Sequence, residues 1–265
     1  MSIKLGVNID HIAVLREARQ INDPSIIDAL SPVKLAGADQ ITIHLREDRR
    51  HINEEDVANI IQNSPLPVNL ECALNEEILG IVYDLHPNKV TFVPENRKEV
   101  TTEGGLDLSK SEFYLRLDTA IMAMKEKDIE VSLFIDPTVE AVRGAKGLNV
   151  DWIELHTGHF ANLYAMLNTN LKRTKHSIKE LNTQRTLLEK QLKKSLTDIQ
   201  NATNEAKDFG LKVAAGHGLN YQNVKEILKT EGISELDIGQ SIIARSVFTG
   251  LERAVRDMIN LINAK

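Results

Sequence analysis

Eight times along the chain, a short run rich in β-branched and apolar residues gives way to an amphipathic stretch of helical period. That alternation limits the fold more than any other feature, because strands separated by helices pair in parallel and bury both faces of the sheet. Strands are expected at 4–10, 40–45, 67–73, 89–94, 130–137, 151–158, 212–219 and 235–239. Helical stretches are expected at 24–36, 53–63, 75–86, 111–127, 138–148, 160–209, 220–231 and 246–264. Asp23–Pro24 and Asn53 with Glu54 and Glu55 read as helix starts, and Gly37, Gly147 and Gly210 as helix ends. Eight such units in 265 residues suggest a single α/β domain over 1–265, a closed (β/α)8 TIM barrel. An open doubly wound sheet is the alternative, although no G-x-G-x-x-G follows the first strand.

One stretch exceeds the needs of a barrel. Residues 160–209 contain no Gly or Pro, and Leu171, Ile178, Leu181, Leu188, Leu192, Leu196, Ile199, Ala206 and Phe209 recur at helical spacing. A continuous helix of that length would run about 75 Å at ~1.5 Å per residue. A helical insertion after the sixth strand is therefore expected, broken near 168–170 or 182–183, or folded as a projecting hairpin. Its basic excess suits a solvated extension, with a subunit contact or a nucleic-acid arm as alternatives.

The whole chain carries 32 Lys and Arg against 38 Asp and Glu, so the net charge of −6 makes no case for a nucleic-acid partner. No apolar run approaches the about 18 residues of a membrane span. The first ten residues read as a strand rather than a signal peptide. The single cysteine, Cys72, leaves no intrachain disulfide and fits a cytoplasmic setting.

In a barrel of this kind, reactive side chains come from the carboxyl ends of strands. Six of the eight histidines, His11, His44, His51, His156, His159 and His217, fall at or just beyond expected strand ends. Lys4, Lys89 and Lys212 instead begin strands, at the far rim, which counts against an enzyme-bound Schiff base. Side chains alternate faces along a strand. Ile41 and Ile43 therefore oppose Thr42 and His44, Leu70 and Cys72 oppose Asn69 and Glu71, and Val7 and Ile9 oppose Asn8 and Asp10. With the apolar faces against helices, Asn8, Asp10, His44, Glu71 and Glu154 converge in the barrel mouth, while Cys72 belongs to the core.

Anion binding has separate signals. The loop from His44 to His51 holds Arg46, Arg49 and Arg50, whose planar forks suit phosphate, or which pair with Glu47 and Asp48 at the surface. Gly216-His217-Gly218 and Gly239-Gln240-Ser241 follow the last two strands, where barrels of this type often bind phosphate through backbone N–H groups. Thr101-Thr102-Glu103-Gly104-Gly105 is a further polar loop. Together these features suggest acid–base chemistry on phosphorylated small molecules.

Four blocks carry a resemblance: Gly6-Val7-Asn8-Ile9-Asp10-His11-Ile12-Ala13, the loop His44 to His51, Val100 to Asp107, and Ala215-Gly216-His217-Gly218-Leu219. They resemble the pyridoxine 5′-phosphate synthase family of the deoxyxylulose-dependent vitamin B6 pathway. The resemblance implies a TIM barrel that joins 1-deoxy-D-xylulose 5-phosphate to 3-amino-1-hydroxyacetone 1-phosphate, with no cofactor and no metal. The substrate's own amine would form the Schiff base. By the same resemblance His44 and Glu71 are proton acceptors, His217 is the proton donor and Glu154 stabilises the transition state. Asn8, Arg19, Gly218, Gly239 and Gln240 match contacts to the aminoketone phosphate; Asp10, His11, Arg46, His51 and Thr101 match contacts to the deoxyxylulose phosphate. A homo-octamer is implied. Gln240 stands where the family usually has histidine, and 160–209 is longer than the family pattern.

Two other readings stay open on the residues alone. His44, His51, His156, His217, Asp10 and Glu71 could serve a metal-dependent barrel hydrolase or isomerase acting on a phosphorylated small molecule. A non-catalytic phosphate-sugar binding protein using the long arm is the other.

Overall fold

The computed structural model describes residues 2–95 and 104–264. Eight strands pair in sequence order and all in parallel: β1 (Lys4–Asn8), β2 (Gln40–His44), β3 (Val68–Cys72), β4 (Lys89–Phe92), β5 (Glu130–Ile135), β6 (Trp152–His156), β7 (Lys212–Gly216) and β8 (Glu235–Ile238). β1 also pairs with β8, closing the barrel expected from the alternation. The open-sheet alternative is thereby excluded. The helices are α1 (Asp10–Glu17), α2 (Leu30–Ala36), α3 (Glu54–Asn63), α4 (Glu76–Leu85), α5 (Ser111–Lys125), α6 (Val139–Gly147), α7 (Gly158–Asn168), α8 (Arg185–Asp208), α9 (Val224–Ile227), α10 (Gln240–Thr249) and α11 (Leu251–Asn263).

Strand parity organises the layers. Val7, Ile41, Ile43, Leu70, Cys72, Val90, Phe92, Val131, Leu133, Ile153, Leu155, Leu236 and Ile238 face outward into one buried apolar shell shared with the helices. The alternate positions face a polar interior holding Gln40, Thr42, Asn69, Lys89, Thr91, Ser132, Glu154, Glu235 and Asp237, all buried. Lys89 begins β4 at the far rim, as expected, but its side chain enters the barrel. Its Nζ turns inward, pairs with Glu235 and lies 4.6 Å from the Trp152 ring centroid. Burying an ammonium is costly, and the carboxylate and the π face offset that cost.

Several boundaries differ from expectation. The first strand stops at Asn8, not Asp10, because the Asn8 side-chain oxygen accepts the Asp10 backbone N–H at 3.1 Å and draws the chain out of the ladder. Asp10 then opens α1, a helix the pattern did not reveal. The expected helix at 24–36 begins as a 3-10 turn at Ile26, whereas Asn53 caps α3 in a full capping box with Asp56. Helix 220–231 shrinks to α9, and 246–264 resolves into α10 and α11, with Gly250 between them at φ +79°.

The insertion at 160–209 is helical at both ends and broken between them, as the expected break requires. α7 ends at Asn168, and residues 169–184 form a connector with 3-10 turns at Leu171–Arg173 and Lys179–Leu181. The break falls at the first expected point because side chains there take over helix carbonyls. Asn168 Nδ2 donates to Tyr164 O at 3.1 Å, and Thr169 Oγ1 donates to Ala165 O at 2.7 Å. α7, the connector and α8 enclose a small separate core of Leu163, Met166, Leu181 and Leu188. Further along α8, Ile199, Ala202 and Ala206 join the main core.

Candidate active site

At the carboxyl ends of the strands, a cavity of about 410 Å³ is lined by Asn8, His11, Glu71, Glu154, Asp237, Phe134 and His217, with Gly218 and Gly239 to Ser241 at its rim. Beside it lies a second group built on β2. Register places His44 opposite Glu71, with His44 Nδ1 3.9 Å from Glu71 Oε2. The other ring nitrogen, Nε2, is 2.8 Å from Glu95 Oε1. An ionised carboxylate only accepts, so Nε2 carries the hydrogen of this bond and Nδ1 faces Glu71. Glu95 also accepts from the Glu47 backbone N–H at 3.0 Å. Despite its burial, the bond from His44 keeps its carboxyl below the usual range.

Asp10 is anchored on both oxygens. Oδ1 accepts the His44 backbone N–H at 2.9 Å, and Oδ2 accepts Asn8 Nδ2 at 2.8 Å. Burial nonetheless lifts its pKa to about 6, against the pull of His44. Glu71 is pushed well up by burial and by the neighbouring carboxyls of Asp10 and Asp237. Glu154 is pushed up by burial, Asp237 and Glu71. Burial thus favours the protonated form of each of these carboxyls.

His217 projects from a left-handed backbone at φ +75° and meets the edge of His156 with ring centroids 5.1 Å apart. Burial and that neighbour drop its pKa to about 4. His156 Nδ1 lies 3.3 Å from Asp136 Oδ1. The loop is pinned by Thr157 Oγ1, which contacts the carbonyl oxygens of Gly216 and His217 at 2.7 Å each. Gly218 follows at φ +80°, and a Cβ there would sit 2.6 Å from Ala161 Cβ, so this turn accepts only glycine without rearrangement.

The arginine loop divides. Arg46 is buried and faces Asp48 at 3.2 Å. Arg50 pairs with Asp48, as the surface ion-pair reading has it, whereas Arg49 pairs outside the loop, with Glu54 and Glu77. His51 accepts the Ile52 N–H on Nδ1, and burial, then His44 and Arg46, lower its pKa to about 3. Arg16 braces this loop, donating to both Asp56 oxygens and to His51 O.

The structure thus brings together Asn8, Asp10, His11, His44, Arg46, His51, Glu71, Glu154, His217, Gly218, Gly239 and Gln240. Arg19 is the exception: it lies exposed in the turn after α1 and does not line the cavity. Thr101 lies outside the described residues. Sequence reasoning missed Glu95, Asp136 and Asp237. Glu95 and Asp136 fall one residue beyond or inside the drawn ends of strands four and five. Asp237 obeys the same parity that selected Glu71 and Glu154.

Among the described residues, no three His, Cys, Asp or Glu side chains are grouped to hold a metal ion. No helix among them is long and apolar enough to cross a membrane.

A closed (β/α)8 barrel with paired acid–base groups at its strand ends and a glycine-bordered rim defines a barrel enzyme of small-molecule chemistry. The fold is shared widely. Phosphoribosylanthranilate isomerase from Thermotoga maritima superposes with a TM-score of 0.58 at 13% identity, covering 99% of this chain and 100% of that one. A tryptophan synthase α-subunit from Pyrococcus furiosus gives 0.57 at 12% identity, covering 100% and 98%. These likenesses concern the fold alone. The chain belongs to the family described as "Pyridoxal phosphate biosynthesis protein PdxJ", which matches residues 5–264. Pyridoxine 5′-phosphate synthase of Aliarcobacter butzleri is 60% identical over 258 residues, covering 97% of this chain and 98% of that protein. That of Sulfurovum sp. is 57% identical, covering 97% and 99%. Relatives of matching length share the long segment after β6, so it is not peculiar to this chain.

Proposed function

We propose that this protein is a pyridoxine 5′-phosphate synthase, joining 1-deoxy-D-xylulose 5-phosphate and 3-amino-2-oxopropyl phosphate into pyridoxine 5′-phosphate with release of phosphate and water. Family membership supports the reaction, and the observation that carries it to particular residues is the His44–Glu71 pair on adjacent strands. Ring closure requires proton removal beside carbonyl groups and return of protons to leaving hydroxyls. His44, its hydrogen on Nε2 held by Glu95, takes a proton on Nδ1; Glu71, pushed up by burial, accepts and returns one. Glu154 faces the same cavity and answers positive charge developing at an imine nitrogen. His217 is neutral in the empty site; a phosphate dianion beside it opposes the burial effect, so it becomes a proton donor once substrate is bound. The rim at Gly218 and Gly239 to Ser241 offers backbone N–H groups at the start of α10 to one phosphate, and the Arg46 guanidinium in the loop after β2 is the candidate for the other.

Incubation of the protein with both phosphates, followed by phosphate release and pyridoxine 5′-phosphate formation, tests the assignment. Absence of product with fresh aminoketone refutes it. The protein acts in the cytoplasm as a homo-oligomer, an octamer by family resemblance; the exposed Val14, Leu15, Val247 and Phe248 near the α1 and α10 surface support self-association. Sedimentation velocity checks the assembly, and a monomer would refute it.

A further inference from the structure

Asp237 lies in β8 between Gly6 of β1 and Gly216 of β7. Both neighbours make room for carboxylates. A Cβ at position 6 would fall 2.1 Å from Asp237 Oδ1, and one at 216 would fall 2.0 Å from Glu154 Oε1. Asp237 is only 6% exposed and lines the cavity. Its Oδ1 accepts Thr42 Oγ1 at 2.8 Å and Gln40 Nε2 at 3.4 Å. Its Oδ2 is buried and has no hydrogen-bond partner among the described residues.

The surrounding charge is one-sided. Glu71, Glu154, Glu235 and Asp237 share one ammonium, that of Lys89, and Lys89 is already held by Glu235. No Lys or Arg is among the described residues lining the cavity, and its histidines, His11 and His217, are both held towards the neutral form by burial. A buried carboxylate oxygen in such a place needs a donor, and a cationic one suits it best. The opposite, rim side presents glycines and a helix start, which suit an anion. A ligand with an ammonium at one end and a phosphate at the other satisfies both ends.

We propose that Asp237 binds the protonated amine of the aminoketone phosphate through Oδ2 and so selects an amino over a hydroxyl substrate. This rests on the proposed function and assigns a residue for substrate selection that the motif resemblance does not include.

Calorimetric binding of each phosphate alone tests it without turnover. The wild type should bind 3-amino-2-oxopropyl phosphate at least about tenfold more tightly than glycerone phosphate, its hydroxyl counterpart. Asp237→Asn, isosteric and still able to accept from Thr42, should bring that ratio to within about twofold. If the Asn variant does not fold, Asp237→Ser is read in the same way. A wild-type ratio near one, or a variant that keeps the amine preference, overturns the inference while product formation still upholds the proposed function. Failure of the wild type to bind either phosphate or to form product overturns both.

Discussion

Nε2 of His44 stands 2.8 Å from Oε1 of Glu95, a residue that follows β4 and whose side chain is more buried than the ring it orients. That bond decides which nitrogen of His44 is basic and turns it towards Glu71.

His44→Ala and Glu71→Gln are each expected to lower kcat by about 10²-fold or more, the scale for a positioned acid–base group. Glu95→Leu should lower kcat by about tenfold or more and alter the pH profile, because the ring loses its tautomer control. Glu95→Gln, which retains an acceptor, should recover part of the loss. Steady-state kinetics with native circular dichroism provide the check; a His44 or Glu71 variant at half the wild-type rate excludes that residue from the chemistry.

His217 gives a stability prediction. Its pKa falls from 6.5 to about 4 on folding, mainly through burial. Between those values the unfolded chain binds the extra proton, so stability rises with pH and is lost as pH falls below 6.5. Relative to His217→Gln, the wild type should lose about 2–3 kcal/mol of unfolding free energy between pH 7.5 and pH 4.5. Urea titrations of both proteins measure the difference, and parallel pH curves contradict it.

Cys72 is fully buried among outward-facing strand residues, and burial raises its thiol pKa. Cys72→Ser should cost about 1–3 kcal/mol of stability, because the hydroxyl finds little to bond with, and leave kcat within about twofold. Rapid inactivation by a thiol reagent, blocked by substrate, would contradict the placement.

Trimming the connector between α7 and α8 should leave the barrel folded and active. Replacing 172–180 by a short Gly/Ser turn spares Leu181 and Leu188 of the small core and Ile199 of the main one. A loss of about 1–2 kcal/mol is expected from the missing Ile178 contact. A deletion extending to 200 would remove Ile199 and should unfold the chain. Thermal melts of the two deletions distinguish the outcomes.

Gln240 opens α10 and lines the cavity rim. If backbone N–H groups hold the phosphate there, Gln240→His should change KM for the aminoketone phosphate by less than about fivefold, below about 1 kcal/mol. A large gain in kcat/KM as pH falls from about 7.5 to about 5.5 would show that a protonated side chain is needed at this position.

The barrel was legible in the chain because period-two and helical patterns are local properties. Each strand began within one residue of expectation, since Lys4, Lys89 and Lys212 mark the polar edge of an apolar run. Parity along single strands likewise placed Asn8, His44, Glu71 and Glu154 on the inner face. The sequence by itself could not decide what distant side chains do to one another. The inward turn of Lys89 depends on Glu235, 146 positions away, and the tautomer of His44 on Glu95, 51 positions away. The shared excess of negative charge around Asp237 exists only because barrel closure sets β8 beside β1. Burial and hydrogen-bond partnership are properties of neighbours in space, and closure of the sheet is what makes these residues neighbours.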